Sequence, residues 1–420
     1  MPINTIAQES TLRNENNTSL PVILCSKHVG FVRSLEYFKK KIFSDDTSNY
    51  KVVKRNWIAY PSNHIEEGSI GLQNICDAGI VSPIYTVFSV NDEVEPDFIH
   101  RVLKTELYRK QYVSAMNGSV DRRGSLRWSQ FSKIKVPVPP LLEQQKISAI
   151  LTVVNDKLDV IARQIEATQG LKKGLMQALF NRGVGTQDAN GRWVPHVEFK
   201  DSQLGEIPAL WDVGLIADYV SALRSGVSVN AEDRVHGDDE VGVLKVSCVV
   251  RGEFRPHCHK AVLPEEQERV AEPVLQGRII VSRANTPALV GESAYVDSAW
   301  PNLFLPDKLW QIEPSERSHS VKWLAFYLQS PFVRQEISKA ATGTSGSMKN
   351  ISKPAFLGIR MPLVPIAEQE HIAAILSGVT SKIETLNSKK VYFKTLKDGL
   401  TQKLLTGEWR VKLDNPTRAV

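Results

Sequence analysis

The stretch IKVPVPPLLEQQKISAIL, residues Ile134–Leu151, returns 225 residues later as IRMPLVPIAEQEHIAAIL, residues Ile359–Leu376. Farther along, LKKGLMQAL (Leu171–Leu179) returns as LKDGLTQKL (Leu396–Leu404). When the two copies are aligned without a gap from Ile134 to Phe180, about 17 of 47 positions are identical. A match of this length indicates an internal duplication.

Each copy predicts an extended segment followed by a long helix, because the prolines at 137, 139 and 140 are incompatible with a helix interior. Apolar residues then recur at alternating spacings of four and three, which is typical of a coiled-coil seam. The predicted seam comprises Ile147, Leu151, Val154, Leu158, Ile161 and Ile165 in the first copy, and Ile372, Leu376, Val379, Ile383, Leu386 and Phe393 in the second. It resumes at Leu171, Leu175 and Leu179, and at Leu396, Leu400 and Leu404.

A single helix with an apolar seam is unstable in water, so each copy needs a partner. We predict that the two helices pair with each other; the alternative is that each packs separately as a core helix of its own domain.

The segments between the helices show no match at the same offset. Their short apolar runs, interrupted by Gly, Pro, Asn and Asp, predict β-rich domains with some helix. The predicted fold class is therefore α+β, with two globular domains and two long helices. The predicted boundaries are a first domain at 1–140, a helix at 141–183, a linker at 184–204, a second domain at 205–365, a helix at 366–406 and a tail at 407–420.

Composition narrows the class of protein. The chain has 420 residues, of which 42% are hydrophobic and 23% charged, the balance of a globular protein with two or three domains. No apolar run approaches the length of a membrane span, and the first residues lack the apolar core of a signal peptide. Four scattered cysteines form no CxxC pair, so a reducing cytoplasm is the expected location. The net charge of +6 permits nucleic-acid binding without requiring it.

Motifs for catalysis are missing from the sequence. It contains neither GxxxxGK[ST] nor a GxGxxG after a strand, and Ser82-Pro83-Ile84-Tyr85 lacks the second proline of the adenine-binding motif of methyltransferases. His257-Cys258-His259 offers too few ligands for zinc, so polar strand residues are the favoured interpretation. Glu143 and Glu368 are explained by capping of a helix start. We therefore predict no catalytic residue, no metal site and no cofactor in this chain.

The duplicated Pro-x-x-Pro-[LI]-x-Glu-Gln-x-x-Ile segment, followed by a long helix ending near LK-x-G-L-x-Q-x-L, resembles the specificity subunits of type I restriction-modification systems. Leu204-Gly205-Glu206-Ile207-Pro208 with Trp211 is similar to the start of a target recognition domain of that family. Gly277–Arg283 and Val81–Tyr85 are similar to other parts of such a domain. The first domain lacks the Gly-Glu-Ile-Pro opening and is shorter than the second.

The resemblance implies two target recognition domains on an antiparallel helix pair with pseudo-twofold symmetry. Each domain would read one half of a bipartite site in double-stranded DNA. Two modification subunits would bind S-adenosylmethionine and methylate adenine, and restriction subunits would supply cleavage driven by ATP with Mg²⁺. The chain itself would be non-catalytic and would not associate with a membrane.

Residues for DNA contact are expected in loops that combine glycine, hydroxyl groups and cations. Two such loops, Asn117–Ser129 and Thr342–Lys353, precede the two proline-rich segments. The candidates are Arg122, Arg123, Arg127, Arg251, Arg255, His257, Lys260, Ser345, Lys349 and Asn350. For the start of each helix and the docking of partner subunits, the candidates are Pro140, Glu143, Gln144, Pro365, Glu368 and Gln369. The alternative function is a coiled-coil scaffold that binds other proteins and not DNA.

Overall fold

The computed structural model describes residues 1–116, 124–343 and 348–413. It divides into two compact units: unit 1 comprises Met1–Ala162 with Ser388–Val420, and unit 2 comprises Arg163–Asn387. None of the helices in the described part of the chain is long and apolar enough to cross a lipid bilayer.

Unit 1 is a mixed domain with a four-stranded antiparallel sheet at its centre. Its strands are β1 (Ala7–Ser10), β2 (Ile23–Ser26), β3 (Gly30–Arg33), β4 (Lys51–Lys54), β5 (Ile58–Pro61), β6 (Gly71–Leu72), β7 (Ala78–Val81) and β8 (Tyr85–Val90). Its short helices are α1 (Ser34–Phe38), α2 (Pro96–Leu103), α3 (Glu106–Met116) and α4 (Trp128–Phe131). The central sheet has the order β1-β8-β5-β6, with β2-β3 and β4-β7 as separate pairs. Buried Phe88, Tyr112 and Phe131 form part of the core between this sheet and the helices.

The first long helix, α5 (Leu141–Arg182), has 42 residues and belongs partly to each unit. Unit 2 follows with the strands β9 (Thr186–Gln187), β10 (Trp193–Val194), β11 (Phe199–Ser202), β12 (Gly205–Pro208), β13 (Asp212–Leu215), β14 (Val220–Arg224), β15 (Ala231–Glu232), β16 (Gly242–Leu244), β17 (Val249–Val250), β18 (Glu253–Phe254), β19 (His259–Val262), β20 (Ile279–Ser282), β21 (Ala284–Asn285), β22 (Ser293–Tyr295), β23 (Leu303–Phe304), β24 (Leu309–Pro314), β25 (Lys349–Asn350) and β26 (Arg360–Leu363). Its short helices are α6 (Val321–Leu328), α7 (Pro331–Ala340) and α8 (Lys353–Leu357), and the second long helix is α9 (Ile366–Leu405). Residues 184–204, for which a linker is predicted, contain the hairpin β9–β10 and the strand β11.

The central sheet of unit 2 has the order β14-β24-β20-β22, which repeats the order β1-β8-β5-β6 of unit 1. A second sheet of unit 2 has the order β15-β19-β16-β23. Its antiparallel pair β16-β19 and its parallel pair β16-β23 have equivalents in unit 1, namely the antiparallel pair β2-β3 and the parallel bridge between Val22 and Ile80. The core of the unit packs Trp211, Trp310 and Trp323, all fully buried, between the central sheet and the helices.

The long helices pair within each unit, which confirms the predicted coiled-coil arrangement. In unit 1, Ile147 of α5 shares a core with Leu404 of α9, and in unit 2 Leu179 of α5 shares a core with Ile372 of α9. Since the start of one helix contacts the end of the other in both cases, the helices run antiparallel. The resumed seam is wrong at its first positions, because Leu171 is 56% exposed and Leu396 is 36% exposed. In α5 the buried face moves to Met176, Leu179 and Phe180.

The two domains are equivalent beyond the stretch where the sequences match. Ile3 donates its backbone N–H to the carbonyl of Ile134 at 2.9 Å, and Ile216 donates to the carbonyl of Ile359 at the same distance. Residue 134 and residue 359 are duplicates, so the start of unit 1 lies beside residues 134–136 as β13 lies beside β26. The sequence comparison finds no such match, because the shared feature is backbone pairing and not residue identity.

Candidate nucleic-acid interface

A short β-ribbon at the end of the central sheet presents two of the predicted DNA-contacting residues of unit 2. Strand β20 is buried, and the chain leaves it at Arg283 to form β21, which pairs with Lys349 and Asn350 of β25. The Lys349 ammonium donates to the carbonyl of Gly343 at 3.1 Å, and Asn350 is exposed. Beside them, the guanidinium of Arg283 lies 5.9 Å from the ring centroid of buried Trp310. Exposed amide and cationic donors on a ribbon are suited to base edges and phosphates.

Arg283 and Asn285 are missing from the sequence-predicted set, although they lie on this same ribbon. The Asn285 side chain donates to the hydroxyl of Ser282 at 3.2 Å and accepts from the backbone of Thr286 at 2.8 Å. The signal in the sequence is their place directly after a buried apolar strand, where polar residues end a β-strand.

The corresponding place in unit 1 carries Arg127. Leu126 donates its N–H to the carbonyl of Ser62 at 2.8 Å, as Ile351 donates to the carbonyl of Arg283 at 3.0 Å in unit 2. Arg127 is exposed and precedes α4, and no described residue pairs with its guanidinium. The predicted Arg122, Arg123 and Ser345 lie outside the described residues.

The other predicted contacts of unit 2 lie on and beside a hairpin. Arg251 and Gly252 form the two-residue turn between β17 and β18, with φ angles of 52° and 80°, as a type I′ hairpin requires. The backbone N–H of Arg251 donates to the Glu292 carboxylate at 2.6 Å, while its exposed guanidinium pairs with no described residue. Arg255 differs, because both its Nε and Nη2 donate to Glu253, at 3.0 and 2.7 Å, and this contact raises the pKa of Arg255.

His257 and Lys260 follow this hairpin, one before β19 and one within it. His257 lies in an exposed turn before the strand, so the interpretation of this motif as strand residues holds for His259 and is wrong for His257. Lys260 lies on β19, and its charge contributes to a lowered pKa of Asp233, whose main cause is the hydrogen bond from Lys245.

Both ring nitrogens of His259 are engaged within the domain. One lies 2.6 Å from the carbonyl of Pro256, and the other accepts from the backbone N–H of His236 at 3.0 Å. Burial lowers the pKa of His259, so the neutral ring is favoured. Its role is therefore structural.

Among the described residues, one group has its possible metal-ligating atoms close together. His64, Glu66 and Glu67 have ligand atoms within 4.8 Å of one another. His64 and Glu67 are exposed and lie 3.2 Å apart, so an ordinary surface hydrogen bond accounts for their proximity.

The repeated Glu-Gln pair lies at the start of each long helix, where the four residues are at most 3% exposed. Glu368 accepts hydrogen bonds from the N–H groups of Val184 and Gly185, at 2.8 and 3.1 Å, and from the Trp211 indole at 2.8 Å. His196 contacts the same carboxylate at 3.0 Å. These partners lie on the segment that follows α5, so the carboxylate ties the start of one long helix to the chain beyond the end of the other.

Glu143 makes the equivalent connection in unit 1. It accepts two hydrogen bonds from the Arg410 guanidinium, at 2.7 and 2.6 Å, and one from the backbone of Val411 at 3.3 Å. The Arg410 contact is the main reason why the pKa of Glu143 is lowered. The prediction that these carboxylates cap their own helices is wrong, because their partners are distant in sequence.

The glutamines join each long helix to its domain. Gln144 accepts from the N–H of Glu95 at 2.9 Å, and Gln369 accepts from the N–H of Ser320 at 2.9 Å. Glu95 and Ser320 precede α2 and α6, so each glutamine supplies the capping contact of a domain helix. Pro140 and Pro365, by contrast, are exposed.

Comparison with known proteins agrees with this architecture. The family described as the type I restriction modification DNA specificity domain matches residues 11–168 and again residues 240–391. Since these matches cover more than half of its length, the chain belongs to this family, and the resemblance to type I specificity subunits is confirmed.

Two relatives illustrate the similarity. The chain is 30% identical over 288 residues to the MjaVIII specificity subunit of a type I restriction enzyme from Methanocaldococcus jannaschii, covering 67% of this chain and 64% of the relative. It is 23% identical over 345 residues to the EcoKI specificity subunit from Escherichia coli K12, covering 81% of this chain and 69% of that relative. The chain thus spans slightly less than two thirds of the first relative.

Solved structures share the fold. The type I restriction-modification S subunit from M. genitalium superposes with a TM-score of 0.57 at 15% identity, covering 96% of this chain and 95% of that one. A chain from a structure on complex assembly and conformational transition of the type I R-M system gives a TM-score of 0.52 at 15% identity, with 97% of both chains covered. At this identity the likeness concerns the fold alone.

Proposed function

We propose that this specificity subunit recognises a bipartite site in double-stranded DNA, with one target recognition domain in each unit. The observation that carries the proposal is the repeated sheet order, β1-β8-β5-β6 in unit 1 and β14-β24-β20-β22 in unit 2. Two copies of one domain, differing in their loops and accessory strands, are suited to reading two different half-sites.

The chemistry of the exposed loops supports contact with DNA. Arg127 in unit 1 and Arg251 in unit 2 are exposed guanidinium groups without a partner among the described residues, and Asn350 adds an exposed amide. Guanidinium groups neutralise phosphates and bind guanine edges, while amides bind adenine edges. Arg255 is less suited, since Glu253 already neutralises it.

Methylation would take place on partner subunits. We propose that two modification subunits dock on this chain, bind S-adenosylmethionine and methylate adenine, while restriction subunits would use ATP and Mg²⁺. In this proposal the chain contributes positioning and no catalytic residue, and the complex acts in the cytoplasm.

The test is a map of N6-methyladenine. The chain is co-expressed with its modification subunit in cells that lack adenine methylation, and the genome is sequenced at single-molecule level. A bipartite motif with a fixed gap is the expected result. A catalytically inactive modification subunit serves as control. A single half-site or its palindrome would contradict the proposal that unit 1 reads DNA.

The alternative is a scaffold that binds proteins through its two domains. Chromatography of the purified complex on immobilised DNA distinguishes the two functions. A scaffold would assemble with its partners, but the column would not retain the complex. A soluble complex without DNA retention and without methylation would overturn the proposed function.

A further inference from the structure

Unit 1 contains an apolar cleft of about 470 Å³. One wall is the turn between α2 and α3, from Val102 to Tyr108, and the other is the last part of α9, from Asp398 to Thr406. Pro137 of the first proline-rich segment completes the lining, and more of that lining is apolar than polar.

The internal duplication shows what would fill this space. The offset of 225 residues relates Glu95 to Ser320, which make the same hydrogen bond to the repeated glutamine. The offset therefore extends from the long helices into the short helices α2 and α6. It assigns every residue of the cleft a counterpart in unit 2.

Three of these counterparts are larger side chains that are buried in unit 2, and a fourth, Phe332 at the position of Leu107, is larger and half-buried. Tyr327 corresponds to Val102, Met176 to Thr401 and Phe180 to Leu405. In unit 2 all three are buried in one core, where the rings of Phe180 and Tyr327 meet edge to face with centroids 5.2 Å apart. Smaller residues at the same three positions leave the cleft in unit 1.

The remaining exchanges do not refill the cleft. Tyr108 is larger than its counterpart Val333, but it is buried and its hydroxyl donates to the carbonyl of Lys135 at 3.0 Å. At the edge, Leu107 is 55% exposed, so an apolar side chain stands uncovered beside the opening. A concave apolar cleft is a usual form of binding site, and Leu107 extends its apolar surface at the edge.

The edge of the cleft carries one carboxylate that forms no ion pair with a described residue. Asp398 has Lys173 as its counterpart, so the charge at this position is reversed between the units. No described residue forms an ion pair with Asp398, while Glu106 at the opposite edge pairs with Arg109 at 2.7 Å. The Asp398 carboxylate is therefore available to pair with a cation of a partner.

We propose that the cleft binds an aromatic side chain, flanked by a basic residue, on a segment of a partner protein. The aromatic side chain would take the place of Phe180 and Tyr327 in unit 2, and the basic residue would pair with Asp398. The volume suffices, since an apolar cavity of about 150 Å³ already holds benzene. This inference goes beyond the proposed function and does not depend on DNA recognition.

The test uses methyl-labelled full-length chain and two short peptides, acetyl-Lys-Phe-Lys-amide and acetyl-Lys-Ala-Lys-amide. The phenylalanine peptide at millimolar concentration should shift the NMR signals of the Val102, Leu107 and Leu405 methyl groups. The alanine peptide should leave them unchanged. No response to the phenylalanine peptide, or an equal response to both, would overturn the proposal. Shifts with free indole but not with the phenylalanine peptide would overturn the proposed peptide site in favour of a small-molecule site.

Variants copied from unit 2 make the test specific. Thr401→Met with Leu405→Phe should fill the cleft, abolish the shift at Leu107, and leave the melting temperature unchanged or higher. Asp398→Lys should leave the fold intact and lower the affinity for the phenylalanine peptide about two- to fivefold, the range expected for the loss of an exposed ion pair. If the filled variant fails to fold, Asp398→Lys still decides, since unchanged affinity would contradict the assigned basic flank.

Discussion

The indole N–H of Trp211 donates a hydrogen bond to the carboxylate of Glu368 at 2.8 Å, across 157 residues of sequence. Trp211 is fully buried, and Glu368 also accepts from the backbone of Val184 and Gly185. One side chain thus holds together the start of α9, the residues after α5 and the start of the second domain.

Replacing Glu368 should destabilise this junction and lower the unfolding free energy. Glu368→Ala leaves two backbone N–H groups and the indole of Trp211 without an acceptor, which we expect to cost about 2–4 kcal/mol of unfolding free energy. Hydrogen exchange at Val184 and Gly185 measures the effect locally, and urea unfolding measures it globally. Glu370→Ala, an exposed carboxylate two residues away, is the matched control. Unchanged exchange at both amides would show that the carboxylate does not hold the junction.

The equivalent junction of unit 1 should respond to pH. The Arg410 hydrogen bonds lower the pKa of Glu143 below its ordinary value of 4.5. A carboxyl whose pKa is lower in the folded state stabilises the fold above its unfolded pKa and loses this effect as the pH falls through its folded pKa. Arg410→Ala should therefore reduce the melting temperature at pH 7 and have little effect at a pH below the folded pKa of Glu143.

Thermal unfolding over a pH series checks this prediction. Lys389→Ala removes an exposed positive charge from the same unit and serves as the control. A difference between Arg410→Ala and the unaltered chain that stays constant with pH would mean that the Glu143 carboxylate is not its origin.

The adjacent residues Gln144 and Gln145 at the start of α5 should differ in their contributions to the unfolding free energy. Gln144 is fully buried, accepts from Glu95 N–H at 2.9 Å and donates to the carbonyls of Pro139 and Glu93, at 2.7 and 3.1 Å. Gln145 is exposed. Gln144→Leu should lower the unfolding free energy by about 2–3 kcal/mol because buried backbone groups lose their partners. Gln145→Leu should change it by less than about 0.5 kcal/mol. Equal effects in urea unfolding would argue against the capping role of Gln144.

The long helices could be predicted from the sequence because their information is local. The spacing of Ile147, Leu151 and Val154 sets the buried face of α5 without reference to any other segment. The exposed Leu171 shows the limit of that argument. Once the heptad pattern is interrupted, the buried face of the helix depends on the part of the protein that packs against it. Near the end of α5, this part is the core of unit 2, which contains Met176 and Phe180.

The partners of the repeated glutamates could not be predicted, since nothing near Glu143 in sequence points to Arg410. The duplicated sequence also does not indicate that the two junctions differ. The glutamate of the same Glu-Gln pair accepts hydrogen bonds from a guanidinium in unit 1, and from an indole and two backbone N–H groups in unit 2. For the DNA-contacting candidates, residue type and loop composition identified exposed Arg127 and Asn350. Residue type and loop composition also favour Arg255, whose ion pair with Glu253 depends on the hairpin geometry.

That ion pair leads to a prediction about DNA affinity. Arg251 lies in the turn of one hairpin and Arg255 follows its second strand, but among the described residues only the guanidinium of Arg255 has a carboxylate partner. Arg251→Asn, which preserves the left-handed turn, should weaken DNA binding and reduce the salt dependence of the affinity by about one charge. Arg255→Asn should have a smaller effect, because its charge is already compensated by Glu253. Fluorescence anisotropy of the assembled methyltransferase complex over a salt series measures both variants. An equal loss for the two would show that pairing with Glu253 does not limit Arg255. No loss for Arg251→Asn would place the phosphate contacts of unit 2 elsewhere on its surface.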